Sequence, residues 1–157
     1  MKGERRLARE MALQALYEID AVGHSAGWVL QNCFEREPDL PAPVSSYYQQ
    51  LVTGVVSCST QLDAYIQQYA QEWPLDQVAI VDRNVLRIAL YEFTIGRIPT
   101  KVAINEAVEI AKSFGSDSAP RFVNGVLGAL APLRREITSA LEAVVGRITQ
   151  GEESEPE

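Results

Sequence analysis

Histidine and cysteine are scarce in this chain of 157 residues, which holds one histidine, His24, and two cysteines, Cys33 and Cys58. The cysteines stand apart, with no CxxC spacing and no histidine beside them. That argues against a zinc site or a redox pair and marks each as a small buried hydrophobe. His24 follows Gly23 in a predicted turn, with no nucleophile and carboxylate arranged around it, so it is taken as an exposed loop residue and no catalytic residue is assigned. Neither a GxxxxGK loop nor a GxGxxG loop occurs, so nothing points to a nucleotide-phosphate cradle. No apolar run approaches the ~20 residues of a membrane span, and the opening MKGERRLAREM puts charges where a signal peptide needs its apolar centre. Strand-like alternation and hairpin turns between β-rich runs are missing too. What remains is the expectation of a cytoplasmic, all-α protein without metal, cofactor or membrane segment.

Hydrophobic residues make up 46% of the 17.3 kDa chain, enough for one domain to bury its own core without disulfides. The expected division is a single domain over residues 1–149 and an acidic, disordered tail over residues 150–157. The net charge of −7 argues against nucleic acid at first sight, but its distribution matters more than its sum. Without the four glutamates of the tail GEESEPE, the 21 acids fall to 17 against 14 bases. What is left is polarised. Lys2, Arg5, Arg6 and Arg9 crowd the start against Glu4 alone, while Glu35, Glu37 and Asp39 gather in the loop EREPDLPAP. Such a basic end can bind phosphates on an acidic protein, with weak long-range steering.

About seven helices are expected. Ala8, Ala12, Ala15, Leu16 and Ile19 recur at helical spacing over residues 4–20, and a shorter helix over residues 26–35 offers Trp28, Val29 and Phe34 for burial. Residues 44–73 form either one bent helix or two in succession, with Gly54 and the cluster SCST as points of bending or closer packing. Pro74 ends that run. Helices then follow over residues 77–94, with Val81, Val85, Ile88 and Ala89 inward, and over residues 102–114. In the latter Ile104, Ala107, Val108 and Ala111 face inward and Asn105, Glu106, Glu109 and Lys112 outward. Gly115 is expected as a C-terminal cap of positive φ, and Ser118 with Pro120 as the start of the next helix. Pro132 interrupts that helix before a last one over residues 134–148. The GxxG of Gly125 and Gly128 lacks the α/β setting in which it would clamp RNA and is taken as a place for another helix to approach.

Two surfaces stand out. Arg5, Arg9, Leu13 and Tyr17 follow at four-residue intervals, so two guanidinium groups and a phenol can line one side of the first helix. Arginine forks onto phosphate and stacks on bases, and tyrosine adds a flat face. Equally open is a structural role, with Arg6 paired to Glu10, Arg9 solvated and Tyr17 packed on its neighbours. The second surface lies between Asp82 and Leu127, in DRNVLRIALYEF and PTKVAINEAVEIAKSFGSDSAPRFVNGVLGAL. There Asp82 and Arg87 can favour a helix start or tie helices together, and Phe122 can be core or can stack on a base.

The opening RRLAREMALQALYEID and the segment from Asp82 to Leu127 closely resemble the NusB family of bacterial transcription antitermination factors. The resemblance implies two three-helix subdomains packed roughly at right angles. It also implies that Lys2, Arg5, Arg6 and Arg9 contact boxA-type RNA, with Phe122 near it, and that Asp82 engages NusE, a small-subunit ribosomal protein. Tyr17, from its spacing on the first helix, and Lys101, where the next helix opens after Pro99, are expected to join the RNA surface. The function so implied is non-enzymatic: an adaptor that binds boxA-like single-stranded RNA together with NusE in the transcription elongation complex. The alternative is a helical adaptor that binds protein only, its basic end a solvated helix start.

Overall fold

The computed structural model describes the backbone of residues 2–70 and 73–153 and the side chains of residues 3–70 and 73–147. Helical spacing of Ala8, Ala12, Leu13, Ala15 and Leu16 builds α1 (Lys2–Val22) and buries that face completely. Ser25 starts α2 (Ala26–Arg36), its Oγ accepting the Trp28 backbone N–H at 3.1 Å. α3 (Ala42–Ser57) opens on Pro41 with Pro43 in its first turn, a place where the missing N–H costs nothing. The long run then breaks at Cys58, which is fully buried, ends α3 and begins α4 (Ser59–Tyr69). Of the two open alternatives, two helices in succession is the one that forms.

After Pro74 the chain makes a single 3-10 turn at Leu75–Gln77, so α5 (Ile80–Phe93) starts later than its periodicity predicts. It is followed by α6 (Thr100–Phe114), α7 (Ala119–Leu130), a short 3-10 turn at Ala131–Leu133 and α8 (Arg134–Glu153). Of the expected acidic tail, residues 154–157 lie outside the described residues, and the backbone of residues 150–153 continues α8.

These helices form two groups, α1 with α2 and α3, and α5 with α6 and α7, joined where α1 packs on α5. α4 lies against α5 and α7 and touches α8. α5 is the central element, in contact with α1, α3, α4, α6 and α7, and its Val85, Leu86, Ile88, Ala89, Leu90 and Phe93 are all buried. A helix apolar around most of its circumference is stable only in such a position. Each large side chain buried there contributes roughly 1.5–3 kcal/mol. α1 and α5 run antiparallel, Arg9 meeting Glu92 at one end and Asp20 meeting Arg83 at the other.

Several local expectations change on contact with the fold. Gly115 has φ of −97°, not a positive value, and its role is space. A Cβ there would lie 2.5 Å from the Ala119 Cβ and 3.0 Å from the Ala111 carbonyl oxygen. Ser118 occupies the N-cap position of α7 without a capping hydrogen bond, its Oγ sitting 3.3 Å from that of Ser116. Gly125 and Gly128 face open space instead of another helix. Close approach occurs at Gly54, where a Cβ would meet the Tyr91 ring at 2.3 Å. Trp28 is half exposed, and Glu106, expected to face solvent, is buried.

Candidate nucleic-acid interface

The basic residues of α1 divide into three kinds. Arg9 is 3% exposed, and its Nε donates to both oxygens of the equally buried Glu92, at 3.0 and 2.9 Å. Burial pushes the Glu92 carboxyl above its usual range, and the Arg9 charge opposes that shift. The Tyr47 hydroxyl on α3 donates to the same carboxylate. Arg6 forks onto Glu106 of α6, Nε to Oε2 and Nη2 to Oε1 both at 3.0 Å, and keeps nearly half of its side chain exposed. Arg5 is exposed and holds its Cζ over the Tyr47 ring, 4.8 Å from the centroid. The side chain of Lys2 lies outside the described residues. Lys101 is exposed in the first turn of α6, five residues before Glu106 and at the same end of the molecule as Arg6.

The row of Arg5, Arg9, Leu13 and Tyr17 is therefore not one surface. Each four-residue step along a helix overshoots a full turn by about 40°, so Arg5 and Tyr17 point roughly 120° apart. The residues between them, Arg9 and Leu13, face the core. Tyr17 lines a separate apolar groove of 370 Å³ with Leu13, Val22, Val81 and Phe114. Tyr17, Val22 and Phe114 are all more than two-fifths exposed there, a patch without a partner in the isolated chain.

Phe122 and Asp82 come together in another groove, of 560 Å³, between the α4–α5 connection and α7. Tyr69, Trp73, Gln77, Ser118 and Arg121 also line it, and Trp73 is 62% exposed. Asp82 occupies the first turn of α5, where a carboxylate is favoured, yet it is buried and its Oδ1 has no hydrogen-bond partner. Burial raises its pKa. Its neighbour Val81 faces the apolar groove, so two consecutive residues form the boundary between the two grooves.

Sequence reasoning did not single out Tyr47, Tyr69 or Trp73 for function, nor Glu92 as the partner of Arg9. Aromatic type alone says nothing of exposure, and Arg9 with Glu92 is separated by 83 positions. Arg83 and Arg87 belong to the frame. Arg83 holds Asp20 at 2.6 and 2.7 Å, and Arg87 reaches Asp20 at 2.9 Å and Asp63 at 2.7 and 2.9 Å. The Arg83 hydrogen bonds, with Asn84 and Arg87 adding to them, hold the Asp20 carboxyl down at about 2 against the opposing effect of burial.

The described residues contain no group of His, Cys, Asp and Glu able to hold a metal, and no helix long and apolar enough to cross a membrane. A helical frame with one basic end and two distinct open grooves defines a binding module. The NusB family model matches residues 6–132. The transcription antitermination protein NusB of Dehalococcoides mccartyi is 47% identical over 131 residues, covering 83% of this chain and 91% of that protein. The NusB of Bacillus subtilis is 43% identical over 125 residues, 79% and 92% of the two chains. Among solved structures, T. maritima NusB superposes with a TM-score of 0.76 at 29% identity, covering 86% of this chain and 96% of that one. A crystal structure of the antitermination factors NusB and NusE in complex with dsRNA matches with a TM-score of 0.74 at 26% identity, over 89% and 99% of the two chains. This chain belongs to the NusB family.

Proposed function

We propose that the chain is a transcription antitermination factor that binds boxA-like single-stranded RNA jointly with NusE and so supports ribosomal RNA transcription. It acts in the cytoplasm as a non-enzymatic assembly factor. Family membership supports this function, as does a relative crystallised with NusE and dsRNA. The observation that carries joint recognition is the boundary at Val81 and Asp82, where an aromatic groove bearing Arg121 meets an apolar one. RNA takes the basic end through Arg5 and Lys101, with Arg6 contributing the part of its guanidinium that Glu106 leaves open. Its bases reach the groove of Phe122, Tyr69 and Trp73, where unpaired rings stack. Glu92 and Asp82, near the two ends of α5, are ten residues apart, so the zones lie about 15 Å from each other. Lys2 belongs with Arg5 by position in the chain.

NusE takes the apolar groove, with Tyr17 reassigned from RNA to this partner and Asp82 at its edge. Arg9 holds the frame through Glu92 and touches neither ligand. Because RNA and NusE each cover part of a continuous surface, each strengthens the other, by a coupling on the order of 1–3 kcal/mol. Tethering the transcript to the elongation complex then raises its local concentration. One observation favours the protein-only adaptor instead: Arg6 and Arg9 already hold carboxylates. Titration of labelled boxA RNA, single-stranded and duplex, with and without NusE, separates the two functions. Single-stranded RNA binding that tightens with NusE is expected. NusE binding without any RNA binding at low salt would establish the protein-only adaptor.

A further inference from the structure

Tyr47 lies between the two arginines that the fold treats most differently. Its ring centroid is 4.8 Å from the Cζ of exposed Arg5 and 5.9 Å from the Cζ of buried Arg9. Its hydroxyl is tied to Glu92, the acid that also holds Arg9. The rim of the ring is thus fixed by a buried carboxylate while its face carries a surface cation. A free arginine side chain loses rotamer entropy on binding, and resting on a ring removes part of that loss in advance. A guanidinium carries its N–H groups in its own plane, so one held over a ring can still offer an outer edge to a phosphate as a fork.

We propose that Tyr47 is a positioning residue for RNA: its ring holds the Arg5 guanidinium flat and presents that group's edge to a backbone phosphate at the mouth of the α1–α3 cleft. This rests on the RNA-binding function proposed above. The cleft, of 360 Å³, is lined by Glu4, Arg5, Pro43, Ser46, Tyr47 and Gln50. The Glu4 carboxylate repels an anion from its interior, so the phosphate sits at the outer edge of Arg5, with the neutral Ser46 and Gln50 beside it. A purely structural Tyr47 needs its hydroxyl on Glu92 and the inner part of its ring against the core and Arg9. The contact with Arg5 adds nothing to the core, because Arg5 is exposed.

The test is a double-mutant cycle on boxA RNA affinity with Tyr47→Leu, Arg5→Ala and the pair, alongside Tyr47→Phe, all at a temperature where circular dichroism shows each variant folded. Tyr47→Leu is expected to weaken RNA binding about three- to tenfold, the range of a cation–π contact, and to abolish most of the effect of Arg5→Ala. Tyr47→Phe keeps the ring, so it should lose thermal stability through Glu92 yet bind RNA within about twofold of the wild type. An Arg5→Ala effect that persists in full beside Tyr47→Leu would overturn the positioning role alone. Wild-type protein that binds no RNA would overturn the proposed function and this role with it.

Discussion

The two ends of the α1–α5 pair use the same chemistry for different purposes. At one end Asp20 of α1 and Asp63 of α4 face Arg83 and Arg87 of α5, two acids against two bases, and every guanidinium is held. At the other, Arg6 and Arg9 of α1 find Glu106 and Glu92, and Arg5 is left on an aromatic ring without an ion pair among the described residues. A balanced cluster locks helices together. The unbalanced one locks them and leaves a cation at the surface. Whether an arginine serves the frame or a ligand is decided by which acid lies within reach.

The largest effect should come from breaking the lock at the basic end. Arg9→Ala leaves Glu92 a buried carboxylate without its cation, held only by the Tyr47 hydroxyl, and is expected to cost about 3 kcal/mol, read as a lower denaturation midpoint in urea. Unchanged stability would mean that Arg9 is not the structural arginine of the row.

At the balanced end, Asp20→Asn should cost on the order of 2 kcal/mol at neutral pH. The sign follows from a carboxyl whose folded pKa of about 2 lies below its ordinary value of 3.8. Its contribution is complete above the ordinary value and disappears as pH falls from there through about 2. Acid denaturation of the Asn variant should therefore be less steep in that window than that of the wild type. Parallel curves would show that Asp20 is not held as its geometry requires. Asp82 has the opposite sign. Its raised pKa makes ionisation costly to the fold, so Asp82→Asn should raise stability slightly at neutral pH, with the gain vanishing in acid below the ordinary carboxyl range. A loss at neutral pH would show that the charged form has a partner in solution.

Little of this division was visible in the residues alone. The helices were legible because the apolar stripes of α1, α5 and α6 keep helical spacing, and Pro74, Gly96 and Pro99 punctuate them. The site was legible only as a list of residue types. A four-residue row looked like one surface, whereas its drift carries Arg9 and Leu13 into the core and parts Tyr17 from Arg5. Glu106 read as a solvated acid because Arg6, its partner, is 100 positions away. Asp82 and Phe122 were separate candidates that the packing of α5 against α7 joins in one groove.

The smallest effects on stability should come from the exposed cations. Lys101→Ala is expected to leave stability within about 0.5 kcal/mol and to weaken RNA binding modestly, checked by thermal unfolding and an RNA titration. Equal RNA affinity would remove Lys101 from the surface.

The most direct measurement is the salt dependence of boxA RNA affinity for wild type and Arg5→Ala, with thermal stability recorded on the same samples. A ligand-facing Arg5 predicts weaker binding, a log–log salt slope shallower by about 0.7 and an unchanged unfolding temperature. Identical affinity and slope, or a loss of binding that merely follows unfolding, would contradict the division of labour between Arg5 and Arg9.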